Sequence, residues 1–558
     1  MAQVFSKYTS WLRGDVTKLT WLGTLLLIAL TLPFFFLLFV WLTPAGDNWA
    51  FIRAYWLWPY ALHSFLLSFT SMTLSMILGA LLAWWQVAYV YPGRKLFFWA
   101  LLLPLSIPQY IAAFIYGDLV SYTGWIPYML ATLFGLPRAS VHLSLYNMPG
   151  AIFIYTLFLF PYVFMIVRAD LMRQDLRLIE AARLLGAGPL RRMVTVIVPL
   201  MRPAMLSGGV LVAFEVLSDY GLASHFGLST LTTGIFQSWF AMGDLSSAMR
   251  LASIFLVSST VLLTWDRLRR RRIATGTRRP RPYPAKKPRA GMLFLIYMVH
   301  GAVVFLTLLL PLARLFDWQI KLLQSVDVAA GRKTLSSLLH TFYETALNTF
   351  VLAFISALVI AFLSLFVNAV ARHEPNLLSR FFPQIALSGY SIPGAVVAIG
   401  VLALILPLEH HLLYGGLGFL CGGKPCLSGT PFMLFYAYLV RYLAVGYSAL
   451  SGSSARIQRH YMDAARLLGH TPWSAFWRVE WPLLRPSMYA AVALTMIDLI
   501  KELPLALILR PFDFQTLATR AFQYASDERL IQAAPYALLI IAVSFTSILI
   551  LGRTEQKL

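Results

Sequence analysis

Charge is scarce in this chain, and acid is scarcer than base. Asp, Glu, Lys and Arg together make up 12% of its 558 residues, about half the ~25% of an ordinary soluble domain. So thin a polar coat excludes a surface solvated throughout by water. Only two cysteines occur, Cys421 and Cys426, and two thiols alone do not make a closed zinc site. No Gly-x4-Gly-Lys-Ser/Thr run is present to cradle a nucleotide phosphate. The nearest stretch, Gly331-Arg332-Lys333-Thr334, lacks the earlier glycine. The chain therefore brings no phosphate-binding loop with which to hydrolyse ATP.

What the chain has is apolar length. Hydrophobic residues supply 59% of it, in runs such as Thr20 to Leu42, Leu62 to Val90 and Met292 to Leu312. Each is close to or beyond the ~20 residues that cross a bilayer as a helix. The runs are continuous rather than alternating, and lipid admits only helices and closed barrels. The expected fold class is therefore an all-α polytopic membrane protein. About twelve spans are expected on length, beginning near Thr20, Leu62, Phe97, Gly150, Pro203, Ala248, Met292, Ala346, Gln384, Pro431, Pro486 and Ile531. The first run is too long for a secretory signal, and no small-residue cleavage site follows it before Trp41. It reads as an anchor that stays.

The net charge of +22 has two readings, a nucleic-acid partner or the positive-inside bias of membrane proteins. With the N-terminus in the cytoplasm and the spans alternating, most of the 45 basic residues fall on the inner side. They are Lys7, Arg13 and Lys18; Arg94 and Lys95; the arginines from Arg168 to Arg202; the Lys/Arg of Arg267 to Arg289; Arg372 and Arg380; the arginines from Arg441 to Arg485; and Arg553 and Lys557. The basic excess then sets orientation and needs no nucleic acid. Both termini are expected in the cytoplasm and the chain in a cell inner membrane.

The sequence repeats itself. Glu180-Ala181-Ala182-Arg183-Leu184-Leu185-Gly186 recurs 283 residues later as Asp463-Ala464-Ala465-Arg466-Leu467-Leu468-Gly469. The same offset maps Pro189 to Pro472, Pro199 to Pro482, Arg202 to Arg485 and Pro203 to Pro486. Ser106-Ile107-Pro108 matches Ser391-Ile392-Pro393, and Thr230-Leu231 matches Thr516-Leu517, at offsets two or three residues longer. The expected organisation is a first half over 1–266, a linker over 267–290 and a second half over 291–558. Each half holds about six spans. An even number gives both halves one orientation, related by a pseudo-twofold axis along the membrane normal. The basic, proline-rich linker cannot bury enough apolar surface to fold and is expected to rest in the cytoplasm against anionic headgroups of the membrane lipid.

The repeated segments lie in inner loops, 170–203 and 453–486. Leu171, Leu178, Ala182 and Leu185 fall at helical spacing on one face. Gly186 follows where a helix terminus favours glycine, and Pro189 suits the first turn of another helix. In the second copy Gly469 ends one helix, Thr471 can cap the next and Pro472 begins it. Each copy thus encodes two short helices at an angle. The pattern resembles the EAA loop of binding-protein-dependent ABC importer permeases of the type I fold. Glu180, Ala181, Ala182, Gly186, Val196, Val198 and Pro199 fit its spacing, as do Asp463, Ala464, Ala465, Gly469, Val479, Trp481 and Pro482. The departures are Asp for Glu at 463, Val at 196, 198 and 479, and Trp at 481.

That resemblance implies a transport subunit rather than an enzyme. Its partners would be two copies of a separate ATPase subunit, which bind the ATP and Mg, and an extracytoplasmic substrate-binding protein. This chain would hold no cofactor. The ATPase-coupling residues would be Glu180, Ala181, Ala182 and Gly186 in one loop and Asp463, Ala464, Ala465 and Gly469 in the other. Fused permeases of this kind resemble a branch that includes ferric-iron and thiamine importers. The stretch from Lys501 to Arg520, with Ala525 to Arg529, looks most like the ferric-iron members. Thiamine, a polyamine or another small solute is the alternative substrate. A secondary transporter would share the repeats but would not need paired loops of this kind.

Carboxylates within spans are costly and are functional candidates by default. The fifth span carries Glu215 and Asp219, and the eleventh carries their repeat mates Asp498 and Glu502. A spacing of four places each pair on one helix face, towards the outer mouth. They are expected to line the translocation path or to form a gate paired with Lys501, Arg510 or backbone. Glu409-His410-His411 reads as an outer loop rather than a metal site, and no metal is assigned. Cys421 and Cys426 fall in an outer segment, a compartment that permits a disulfide. The spacing, with Gly422 and Gly423 between, lets their Cα atoms approach to about 4.4–6.8 Å. The expected outcome is that neither thiol labels from outside until reductant is added, and rapid labelling of both without reductant would refute the pairing.

Overall fold

The computed structural model describes residues 18–137, 143–172, 177–273, 285–329, 332–374, 376–414, 427–457 and 459–555. Of the linker expected over 267–290, residues 274–284 lie outside the described residues, as do both cysteines, whereas 267–273 continue the helix Leu245–Ile273 instead of staying unfolded. Among the described residues the chain is helical, with one isolated backbone bridge, Tyr89 to Lys286.

Eleven helices are long and apolar enough to cross a membrane among the described residues. They are α1 (Lys18–Leu42), α2 (Trp49–Ala88), α3 (Met148–Leu171), α4 (Met193–Ser218), α5 (Leu245–Asp266), α6 (Ala290–Ser325), α7 (Ser336–His373), α8 (Gly394–His411), α9 (Phe432–Ser454), α10 (Phe476–Ile500) and α11 (Leu530–Ile548). A bent pair, Arg94–Ser106 followed by Gln109–Phe134 at 94°, brings the number to twelve if it counts as one span. The polytopic all-α class holds.

The breaks and starts follow local chemistry. The bend falls at Ile107-Pro108, where Ile107 is extended, as the residue before proline prefers. Its repeat mate Ile392 is extended before Pro393 in the same way. There the stretch expected to open a span near Gln384 is instead a set of short helical pieces, Ser379–Phe381, Phe382–Ala386 and Gly389–Ser391, and α8 begins at Gly394. α4 and α10 begin well before the expected Pro203 and Pro486. Each opens with one turn of π-helix, Met193–Ile197 and Phe476–Glu480. The wider turn precedes Pro199 or Pro482 and accommodates a residue that has no N–H to give.

The helices gather into two compact units. Unit one takes Met1–Gly46, Asp244–Leu256 and Leu338–Thr519; unit two takes Asp47–Gly243, Val257–Ser337 and Arg520–Leu558. Packing thus does not follow the sequence repeat. α1 packs in unit one against α8, and α6 packs in unit two against α11. Polar contacts hold each of these helices. Thr20 bonds Glu374 and accepts from Asn376 Nδ2 at 2.8 Å. His300 Nε2 lies 3.3 Å from the Tyr91 hydroxyl, which accepts from Gln86 Nε2 at 2.8 Å.

One buried contact occurs once in each unit. In unit two, Ser64 Oγ on α2 accepts from Leu231 N at 2.9 Å and caps the helix Leu231–Phe236. In unit one, Thr349 Oγ1 on α7 accepts from Leu517 N at 2.8 Å and caps Leu517–Ser526. Thr230 with Thr233, and Thr516 with Thr519, complete each cap reciprocally. Ser64→Ala and Thr349→Val are each expected to lower stability by about 1–2 kcal/mol, the worth of a cap whose loss leaves a buried amide bare. Melting the detergent-solubilised protein checks this, and near-equal losses are expected because the two contacts are the same contact.

Candidate functional site

The repeated loops fold as short helices, Arg177–Leu184 and Arg459–Leu467. Both end in the same motif. Ala187 N donates to Ala182 O at 3.0 Å, and His470 N donates to Ala465 O at 3.1 Å. This six-to-one bond needs a left-handed residue between. Gly186 (φ +77°) and Gly469 (φ +85°) supply it. A Cβ at either glycine would meet nothing within 4 Å, so backbone shape rather than space selects glycine.

Each helix buries only a narrow face. Ile179 and its repeat mate Met462 are 3% and 4% exposed, and Met462 packs with Ala465, Ala475 and Val479. Glu180, Ala181, Asp463 and Ala464 are exposed, Ala182 is half-buried, and Ala465 is buried. The expected apolar face needs correction. Leu171 ends α3, Leu178's side chain lies outside what is described, and Leu185 lies past the end of its helix. Leu184 and Leu185 are 88% and 87% exposed, and Leu467 and Leu468 are 89% and 80% exposed. Two adjacent bare leucines at the tip of each loop form a repeated apolar spot.

The second short helix of each copy is not separate. Pro189–Arg192 runs through the π turn into Val198–Ser218. Pro472–Ala475 runs likewise into Trp481–Ile500, with Thr471 Oγ1 accepting from Ser474 N at 3.2 Å. Each loop is therefore continuous with a membrane helix. The anchorage differs between copies. Glu480, 1% exposed, accepts from Arg372 Nη1 at 3.1 Å and lies 2.6 Å from His373 Nε2. Its repeat mate is Ile197, an apolar residue 5% exposed.

The four membrane carboxylates stand at the opposite ends of these helices. Glu215 lies in α4 and Asp498 in α10, but Asp219 and Glu502 do not continue the helix face predicted for them. α4 stops at Ser218 and α10 at Ile500. Asp219 Oδ2 accepts from Leu222 N at 2.9 Å at the start of the helix Gly221–His225. Glu502 Oε1 accepts from Leu505 N at 3.0 Å at the start of Pro504–Leu509. A carboxylate satisfies amides that a helix start leaves bare, which explains both departures.

Their other partners divide by chemistry. In unit two, Tyr155 donates to Asp219 at 2.7 Å and Tyr162 to Glu215 at 3.4 Å. In unit one, Arg441 Nη1 pairs with Glu502 Oε1 at 3.1 Å, Tyr442 donates to Oε2 at 2.9 Å, and Lys501 pairs with Asp498 at 2.8 Å. Lys501 and backbone are thus partners as expected. Arg510 Nη1 donates to backbone carbonyls of Pro511, Phe512 and Phe514. Arg441 is a correction, because sequence placed it among inner-loop charges whereas it sits within α9, 7% exposed. A lone arginine inside an apolar run was the signal that should have matched it to an acid.

Among the described residues, no group of three or more His, Cys, Asp or Glu side chains could hold a metal ion. Glu409, His410 and His411 lie in the helix Gly394–Tyr414 and not in the loop expected for them, and Glu409 is buried and accepts from Leu427 N and Ser428 N at 2.7 and 3.1 Å, which gives it a structural use.

Residues 77–275 match the family model of the binding-protein-dependent transport system inner membrane component. An Fe(3+)-transport system permease protein of Haemophilus influenzae, FbpB 2, is 26% identical over 86% of this chain and 87% of its own length. The molybdenum transport system permease protein ModB of Escherichia coli is 29% identical over 30% of this chain and 71% of its own. A probable sulfate transport system permease protein, cysT, of Nephroselmis olivacea is 30% identical over 29% of this chain and 56% of its own.

The unequal carboxylate partners give a measurable difference. Arg441→Met leaves a buried carboxylate without its cation and is expected to cost about 3–5 kcal/mol. Tyr155→Phe removes one hydrogen bond to a charged acceptor and is expected to cost about 1.5–3 kcal/mol. Thermal unfolding in detergent ranks the two, and equal losses would mean that the sites are held alike.

Proposed function

We propose that this chain is the membrane permease of a binding-protein-dependent importer and that it carries ferric iron received from an extracytoplasmic binding protein. The observation that carries the iron reading is the Haemophilus relative, whose match runs through nearly all of both chains. The hydrolytic step belongs to a separate ATPase subunit, present in two copies because there are two loops, and ATP and Mg bind there. The chain sits in the inner membrane with both termini cytoplasmic.

In this reading the loops are the coupling elements. Exposed leucine pairs favour burial in a partner. The exposed Ala181 and Ala464 keep the contact small, Ala182 and Ala465 let each loop helix pack closely on its own chain, and Glu180 and Asp463 meet basic groups. Gly186 and Gly469 hold the turn that presents the leucines. Displacement then passes along α4 and α10, which are continuous with the loops. At the far ends, Asp219 and Glu502 serve as gate latches because their carboxylates hold the start of the next helix. Glu215, beside Tyr162, and Asp498, paired with Lys501, are the acids that meet the cargo. Ferric ion is a hard cation, and hard cations favour oxygen ligands.

The half-length relatives named for sulfate and molybdenum favour a second reading, an oxyanion cargo, and one experiment separates the two. The chain is reconstituted in proteoliposomes with its ATPase and binding protein, and uptake of labelled ferric ion, sulfate and molybdate is measured. Iron uptake that requires ATP is expected, with neither oxyanion accumulating. Gly186→Glu and Gly469→Glu are each expected to abolish uptake while membrane insertion persists, and Glu215→Gln with Asp498→Asn to lower it. Normal uptake in both glycine variants would remove the coupling assignment, and oxyanion uptake without iron would replace the cargo.

A further inference from the structure

Phe512 is 100% exposed. A lone bare apolar side chain is ordinary on a protein surface, but three features set this one apart. Its loop is pinned. The Arg510 guanidinium donates through Nη1 to the carbonyls of Pro511, Phe512 and Phe514 at 3.5, 3.4 and 3.3 Å, and Phe514 N closes a turn on Pro511 O at 3.1 Å. The buried cap at Thr516 and Thr519 fixes the exit.

The fold does not require the exposure. At the repeat offset of the matched threonines, Phe512 corresponds to Phe226. Phe226 is 4% exposed and packs on Tyr146 with ring centroids 5.3 Å apart. At the offset of the matched acids Phe226 instead corresponds to the buried Leu509, so three extra residues enter the second half between Leu505 and Thr516, and Phe512 lies in that lengthened loop.

The loop also emerges from the interior of its unit. Leu505 and Leu509 before it are 0% and 2% exposed, and Leu517 and Ala518 after it are both 0% exposed. Asp513, exposed beside it, suits a polar rim around an anchor more than it suits anionic headgroups. α10 runs from the loop Arg459–Leu467 at one end towards this segment at the other, so within its unit Phe512 is presented away from Leu467 and Leu468.

From these observations we infer that Phe512 is an anchor by which the permease holds its extracytoplasmic substrate-binding protein. The inference rests on the importer reading, and it names a residue for a contact that the reading leaves unassigned. A rigid aromatic on a pinned loop is the kind of residue that dominates an interface, because little freedom is lost when it docks.

The test uses the full chain with its ATPase in lipid nanodiscs and the importer's own binding protein, purified and loaded with ferric ion. For Phe512→Ala, the binding-protein concentration giving half-maximal stimulation of ATP hydrolysis is expected to rise at least tenfold, with the saturated rate still reached. An unchanged concentration overturns the anchor. A second variant, Phe512→p-benzoylphenylalanine, is irradiated with the same loaded binding protein. A cross-link to the binding protein is expected, whereas cross-links to lipid alone overturn the proposal in favour of a membrane contact. Should the unaltered chain show no stimulation by the binding protein, the importer reading itself fails and the anchor fails with it.

Discussion

A helix that stops within a bilayer leaves backbone amides bare, and lipid offers them nothing. The membrane-embedded architecture of this chain is organised around that constraint. α4 and α10 stop at Ser218 and Ile500, and in each case a carboxylate from the following residues takes up the amides of the next short helix. The helices Leu231–Phe236 and Leu517–Ser526 begin deep in their units, and Ser64 and Thr349 reach from neighbouring helices to cap them. Acids that look from sequence like a cation pathway thus have a backbone duty. That duty fixes the position of Asp219 and Glu502 before any role in transport is considered.

The two halves share backbone devices and differ in how charge is balanced. The π turns, the Ile-Pro breaks, the glycine-ended loops and the threonine caps occur in both. The acids of unit one carry cations, Arg441 and Lys501, while those of unit two carry tyrosines. Glu480 anchors one loop through Arg372 and His373, where the other has Ile197. In a fused chain each half is encoded once and separately, so a change in one is not imposed on the other. Backbone geometry is the part both must keep; side-chain electrostatics is the part free to diverge.

Much of this was legible in the sequence, because a bilayer makes hydrophobic length and repeated punctuation unusually informative. The crossings and the Gly186 and Gly469 termini follow from apolar runs and turn residues alone. Span starts were less legible. Pro203 and Pro486 look like boundaries, yet a π turn upstream lets the helix run through them. Arg441 was misread because charge counting assigns each arginine to a loop, and only packing reveals its partner, Glu502, sixty-one positions away. The interleaving of the units was invisible. α1 and α6 carry no mark of which helices they join, since apolar surface is matched by shape rather than by residue type.

The same continuity that hid the starts of α4 and α10 bears on how force can travel. A loop helix joined to a span by a flexible linker would absorb a displacement locally. Here the turn after Gly186 or Gly469 leads into helix that carries one π turn, at Met193–Ile197 or Phe476–Glu480, and beyond it the next irregular backbone along α4 or α10 is at Asp219 or at Lys501 and Glu502. A push at the leucine tips therefore has few places to dissipate before it reaches a cap. Where the rod ends, what yields is the hydrogen bonding of Asp219 to Tyr155 and Leu222 N, and of Glu502 to Arg441, Tyr442 and Leu505 N. The ionic set in unit one resists more than the tyrosine-held set in unit two, because separating a buried cation from its carboxylate costs more than releasing a hydroxyl. Equal pushes on the two loops would then open the two caps unequally, with the Asp219 cap yielding first.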